Sequence, residues 1–428
     1  MDLTQTWKEK IERGDLDERL LELYVDEARI PAQRKRYGAA VAKFEQLFGT
    51  GDVEIYSAPG RSEVGGNHTD HQHGEVLAAS VNLDAIAVVA GRQDGKIQLL
   101  SEGYPMLSVD LRELSAKKEE EGTSLALIRG MAYGLQKNGH NIGGFSAYVT
   151  SDVLGGAGLS SSASFEVLIG TILSGLYNGG TVDPVEIAQV AQFAENVYFG
   201  KPCGLMDQMA CSVGGLIHID FLDVAHPVVE KVPVDFTAYG HSLCITDTKG
   251  SHADLTDEYA AIPAEMCAVA EALGKKVLRE ADETSFLQQI PVLRQKLGDR
   301  AVLRAMHFYA ENARAEQQVK ALAQGDFARF LALVEESGNS SFEFLQNVYA
   351  AKEVKSQAVS IGLAVSRKAL EGGHGVCRVH GGGFAGTIQA FVANEYVDAY
   401  KKALDGVFGT GACQVLKVRP VGGVCVFS

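Results

Sequence analysis

Apolar residues recur at three- and four-residue intervals through "LDERLLELYVDEARI" and "QRKRYGAAVAKFEQLFG". That spacing predicts helices across residues 1–50, with Gly49 and Gly51 closing the second. The period then shortens to two in "DVEIYSAPG", which reads as a strand. "LDAIAVVAGRQDGKIQLLSEG" predicts a hairpin turning at "QDG". An amphipathic helix, "SLALIRGMAYGLQKNG", and a strand, "FSAYVTSD", follow. Next, a glycine-rich turn in "VLGGAGLSSSASFEVLIGTILSGLYNGG" runs straight into an apolar helix. "DPVEIAQVAQFAENVYFG" is a further helix, with Asp183 placed to cap it and Pro184 at its first position. "GLIHIDFL" and "HSLCITDT" read as strands, and long helices dominate from about residue 253. "GVCRVHGGGFAGTIQAFV" closes the series as strand, glycine turn and strand. Strands and helices in both halves predict an α+β fold. The boundary falls after the strand at 215–222, giving domains 1–222 and 223–428.

Composition narrows the classes. A chain of 428 residues with 46% hydrophobic content is large enough for two domains and a sizeable core. A formal net charge of −15 argues against nucleic acid and against anionic membrane surfaces as partners. No apolar run approaches the ~20 residues of a membrane helix, and the charged start has no secretory core. The seven cysteines include no C-x-x-C pair, which points to reduced thiols in a cytoplasm.

Four segments can carry chemistry. "GGAGLSSSAS", from Gly155 to Ser164, places glycines and serines directly before a helix. Backbone N–H groups at such a start, aided by the helix dipole, suit a phosphate chain. The segment matches neither a Walker loop nor a dinucleotide fingerprint. "VHGGGFAG", from Val379 to Gly386, allows close backbone approach, although by itself a tight hairpin turn explains it. Arg61 follows a Pro-Gly turn, and Asp207 follows a Pro-Cys-Gly turn, twelve residues after Glu195. "GNHTDHQHGE" gathers His68, Asp70, His71 and His73, residue types that also bind zinc.

Together these segments resemble the GHMP small-molecule kinases, and most nearly the galactokinase family. "APGR…HTD" is similar to that family's sugar signature, "GLSSSAS" to its phosphate loop, "PCGLMDQ" to its catalytic segment and "GGGFAG" to its third glycine element. The resemblance implies an N-terminal S5-like domain and a C-terminal ferredoxin-like α+β domain, with the active site in the cleft between them. It implies ATP and Mg²⁺, and transfer of the γ-phosphoryl group to the anomeric hydroxyl of a galactose-like sugar. Asp207 would accept or orient the hydroxyl proton, and Arg61 would keep Asp207 ionised. Gly155, Gly156, Ala157, Gly158, Leu159, Ser160, Ser161 and Ser162 would cradle the phosphates. Ser162 and Glu195 would hold magnesium, and Asn67, His68, Asp70, Gly204 and Tyr259 would line the sugar. On this reading the histidine cluster serves a sugar loop rather than zinc.

The family signature reads P-G-R-V-N-L-I-G-E-H-T-D-Y, and this chain departs from it. Asn67 stands at the family's Glu, Ser62 and Glu63 at V-N, and His71, Gln72 and His73 at Y-N-G. The changes cluster near the substrate more than near the nucleotide. An amide does not repel an anion, so a uronic acid such as galacturonate is an alternative substrate. A non-catalytic sugar and ATP sensor, or a zinc hydrolase using the histidines, are the readings from other classes.

Overall fold

The computed structural model describes residues 3–153, 158–250 and 255–427. Among these, three helices lead: α1 (Leu3–Arg13), α2 (Asp17–Tyr24) and α3 (Ile30–Phe48). The chain continues through β1 (Glu54–Gly65), β2 (Glu75–Arg92), β3 (Lys96–Ser101), β4 (Leu107–Asp110), α4 (Ser124–Lys137) and β5 (Gly144–Ser151). Then come α5 (Ser161–Asn178), α6 (Pro184–Phe193), α7 (Met206–Val213), β6 (Leu216–Asp220), β7 (Val228–Lys231) and β8 (His241–Asp247). Five helices follow: α8 (Thr256–Ala272), α9 (Glu283–Leu297), α10 (Asp299–Ala323), α11 (Phe327–Ser340) and α12 (Ala358–Ala369). The chain ends with β9 (Gly375–His380), β10 (Thr387–Ala393), α13 (Val397–Phe408), β11 (Cys413–Leu416) and β12 (Val424–Phe427).

The first sheet runs β12-β1-β2-β5-β3-β4, with β6 and β7 joining along the other half of β2. Alternation along β2 divides its side chains between two helical layers. Ala85, Ala87 and Val89 pack with Ile128 of α4, Val167 of α5 and Val190 of α6. Ile86 and Val88 pack on the opposite face with Trp7, Tyr24, Tyr37 and Val41 of the N-terminal helices. Both faces are covered, which is why this strand reads as a continuous apolar run. The N-terminal helices thus form an integral layer of the first domain. The expected cap of α6 is present: Asp183 accepts from the Val185 amide at 2.7 Å, and Pro184 opens the helix.

The second sheet is antiparallel, ordered β11-β8-β10-β9. Its chain order, β8–helices–β9–β10–α13–β11, is the ferredoxin-like arrangement. Leu243 and Ile245 of β8 face α11, while Cys244 between them faces the layer of α12 and α13.

Three expectations are corrected. The hairpin at "QDG" does not form, because β5 lies between β2 and β3 and pairs with both. The connection crosses the start of β5, where Gly144 has no side chain: a Cβ there would meet the Lys96 backbone at 2.5 Å. The boundary at 222/223 does not follow the sheets, since β7 and β12 both lie beyond it and both pair within the first sheet. The expected Pro59-Gly60 turn is instead a bulge inside β1, with the register against β2 shifting between Pro59 and Arg61.

Candidate active site

The bulge decides where Arg61 points. Gly60 lies against the segment that leads into α5: a Cβ on it would sit 2.8 Å from the Leu159 carbonyl oxygen. The Arg61 amide donates to that same carbonyl at 3.1 Å. The buried Arg61 guanidinium then reaches Asp207, in the first turn of α7, through two parallel bonds, Nε–Oδ1 at 2.7 Å and Nη2–Oδ2 at 2.9 Å. Its Nη1 donates to the Gly158 carbonyl. Such a fork holds both partners in one plane. Ser160, which precedes α5 in a left-handed conformation, turns its hydroxyl to the Asp207 carboxylate rather than to its own helix. Burial alone would raise the Asp207 pKa, but the Arg61 charge and the bonds from Arg61 and Ser160 outweigh it and hold the carboxyl below its usual range. Residues 146 apart in the chain are therefore joined at a helix start.

Ser162 and Glu195 also come together, with the hydroxyl 3.4 Å from Glu195 Oε1. Glu195 is buried in a π-helical turn, Ala194–Phe199, that extends α6. Such turns recur at functional sites. Gln208, next to Asp207, donates to Glu195 Oε2 at 2.8 Å and to Glu166 Oε2 at 3.2 Å. Burial, with the nearby Glu195 charge, pushes the Glu166 pKa well up. Lys201 sets its ammonium on Glu195 Oε1 at 3.1 Å. A hydroxyl beside a carboxylate that already attracts a cation is a donor set suited to Mg²⁺.

The sugar loop follows β1. Gly204 faces Asp70 so closely that a Cβ would stand 1.9 Å from Oδ2. His68 has a left-handed backbone, and its Nε2 lies 3.2 Å from the Gly382 carbonyl oxygen. Burial, reinforced by His71, lowers its pKa to about 3, so the ring is neutral. Tyr259 donates to the Gly383 carbonyl at 2.8 Å and packs edge-on to Phe384. The third glycine element is thus a six-residue hairpin loop, 381–386, whose carbonyls receive the sugar loop and α8.

Asn67 is the exception among the expected sugar contacts. It is fully buried, and protein occupies both ends of its amide. Nδ2 donates to Glu63 at 2.9 Å and to the Gly381 carbonyl at 2.8 Å, while Oδ1 accepts from Asn347 at 2.9 Å and Ser341 at 3.2 Å. These bonds fasten the loop. Glu63 pairs in turn with the buried Arg378 of β9. Burial pushes the Glu63 pKa up to about 7 against the pull of Arg378 and Arg61.

Gly155, Gly156 and Ala157 lie outside the described residues. Gly158, Leu159 and Ser160 adjoin Arg61 and Asp207, and Ser161 opens α5. Among the described residues no group of three or more His, Cys, Asp or Glu side chains could hold a metal ion. Sequence reading gave no role to Gln208, Lys201 or Arg378, and noted Glu63 only as a departure from the family signature. Gln208 and Lys201 stand within or beside "KPCGLMDQ" and were within reach; Arg378, 315 residues from Glu63, carried no local signal.

Comparison with known proteins gives the family. Residues 126–215 match the GHMP kinases N terminal domain, and residues 42–91 match the galactokinase galactose-binding signature. The galactokinase of Streptomyces coelicolor is 30% identical over 391 residues, spanning 90% of this chain and 97% of its own. The Lactococcus lactis galactokinase, in its crystal structure with galactose, superposes with a TM-score of 0.76 at 27% identity, covering 90% of this chain and 98% of that one. A Methanococcus jannaschii mevalonate kinase, at 14% identity and a TM-score of 0.59, shares the fold. The likeness takes in both the sugar loop and the helix start on which the ion pair is built, and the chain belongs to the galactokinase family of the GHMP kinases.

Proposed function

We propose that the protein transfers the γ-phosphoryl group of ATP to the anomeric hydroxyl of galactose, giving α-galactose 1-phosphate and ADP. The observation that carries this reading is the bidentate Arg61–Asp207 pair beside the serine-rich start of α5. Transfer of this kind depends on positioning and on stabilising charge. Asp207, ionised across the neutral range, orients the sugar hydroxyl and takes its proton. Arg61 fixes that carboxylate and lends positive charge as the phosphoryl group moves. The amides of 155–162 cradle the phosphates. Ser162 and Glu195 would hold Mg²⁺, which neutralises phosphate charge when bound. Asp70, Gly204, His68 and Tyr259 border the sugar. None of the seven cysteines forms a disulfide, which fits a reducing cytoplasm, and no helix among the described residues is long and apolar enough to cross a membrane.

ADP release from purified protein with ATP, Mg²⁺ and a panel of sugars tests the reading, and galactose should be the best acceptor. Absence of ADP release with every sugar would sink it and leave the sensor. The panel includes galacturonate, so that the uronic acid reading is tested directly against galactose.

A further inference from the structure

We propose that Arg36, on the N-terminal helix α3, is a positioning residue for nucleotide binding: it fixes the end of β5 that leads into the phosphate loop. The inference rests on the ATP-kinase reading and extends it to a layer of the fold that touches no substrate. Arg36 reaches over the ends of two neighbouring inner strands of the first sheet, β2 and β5, and joins both to its own helix. Its Nη1 donates to Asp84 Oδ1 of β2 at 2.7 Å and stands 3.0 Å from Asp152 Oδ2. Its Nη2 donates to the Asp84 carbonyl at 2.8 Å and to the Thr150 carbonyl at 3.1 Å. Gln33, one turn earlier, accepts from Nη1 at 3.2 Å and donates to Asp152 Oδ2 at 3.4 Å. The Asp152 amide closes the ring by donating to the Asp84 carbonyl at 2.9 Å.

Asp84 is an immobile anchor. It is fully buried, and its Oδ2 accepts from Tyr24 at 2.8 Å, from Arg419 at 3.0 Å and from Ser57. Burial would raise its pKa, but Arg36 and Arg419 hold it below the usual range, so the anchor stays charged. The phosphate loop is therefore gripped at both ends by different means. Gly60 and Arg61 of β1 hold the end that joins α5, through Leu159 and Gly158. Arg36, braced on Asp84, holds the end that leaves β5. Amides that must converge on phosphate oxygens tolerate little displacement, so loosening one end weakens nucleotide binding and leaves the sugar loop as it was.

The test measures KM for ATP and for the sugar acceptor, together with melting temperature, in the full chain. Arg36→Met should raise KM for ATP about tenfold while KM for the sugar stays within about twofold. Arg36→Lys keeps the charge but not the planar fork, and should recover part of the loss. Asp152→Asn, a half-exposed change that leaves the bonds to Asp84 and Thr150 intact, should give a rise of about threefold and decides the matter if Arg36→Met does not fold. Unchanged KM for ATP in folded variants, or equal rises for ATP and sugar, would overturn the proposal. A parent protein that neither consumes nor binds ATP would instead remove the kinase reading, and this inference with it.

Discussion

Asp207 and Asn67 both end on hydrogen bonds drawn from distant parts of the chain, yet the two sites differ in what they leave free. The Asp207 side chain keeps a third of its surface open beside the helix start, with Arg61 and Ser160 holding it from behind. Asn67 is enclosed, with its amide divided among Glu63, Gly381, Ser341 and Asn347. Its backbone is held too: the Glu311 carboxylate accepts from the amides of Gly66 and Asn67, and His307 bonds the Asn67 carbonyl. The phosphate side is a supported group with capacity to spare. The sugar side at residue 67 is a fastening. On the proposed kinase reading, a departure from the family signature should therefore have different consequences on the two sides: at 61 or 207 it would remove chemistry, whereas at 67 it would alter how the loop is tied down.

The largest effect that would break this contrast is expected at Asp207. Asp207→Asn keeps the shape but can neither accept the proton nor balance Arg61, so kcat should fall on the order of 10³-fold. A fall of less than tenfold in ADP release would show that the carboxylate is not where the reaction is supported.

Glu63 gives the next largest expectation, read through pH. Its folded-state pKa of about 7 lies above its ordinary 4.5. The folded chain therefore binds this proton more tightly than the unfolded chain. The resulting stability is present at low pH and is lost as pH rises through 7. Glu63→Gln lowers the baseline, because Arg378 loses its partner, but it removes this slope. From pH 4 to 8 the parent should lose on the order of 3 kcal/mol more than the variant in denaturant titrations. Parallel curves would contradict the assignment.

Asn67→Ala should act on stability before affinity. Leaving Glu63, Asn347 and the Gly381 carbonyl short of partners should cost about 2 kcal/mol, with KM for the sugar little changed. The reverse pattern, a large KM effect with no loss of stability, would return Asn67 to the sugar. The smallest effect is expected at Gly204→Ala, where the new methyl displaces Asp70 and should raise KM for the sugar roughly tenfold while KM for ATP holds. Equal shifts in both constants would place Gly204 outside a dedicated sugar subsite.

The chain's own pattern determined a good deal. Period-two and three-to-four spacing located the main helices and strands, and Asp183-Pro184 marked the start of α6, because capping and burial periodicity act within a few residues. The residue types in "APGR", "GLSSSAS" and "PCGLMDQ" carried the proposed chemistry, since phosphate cradling and proton acceptance depend on which groups are present. The tertiary structure alone decided who pairs with whom. It placed β5 between β2 and β3, turned Pro59-Gly60 into a bulge that aims Arg61, and returned β12 to the first sheet. It also filled the hydrogen bonds of Asn67 with partners up to 314 residues away, and set Arg36 beneath the strand that feeds the phosphate loop. Sheet order and the satisfaction of buried polar groups depend on which distant segments meet, and a local pattern of apolar and polar positions holds no record of that.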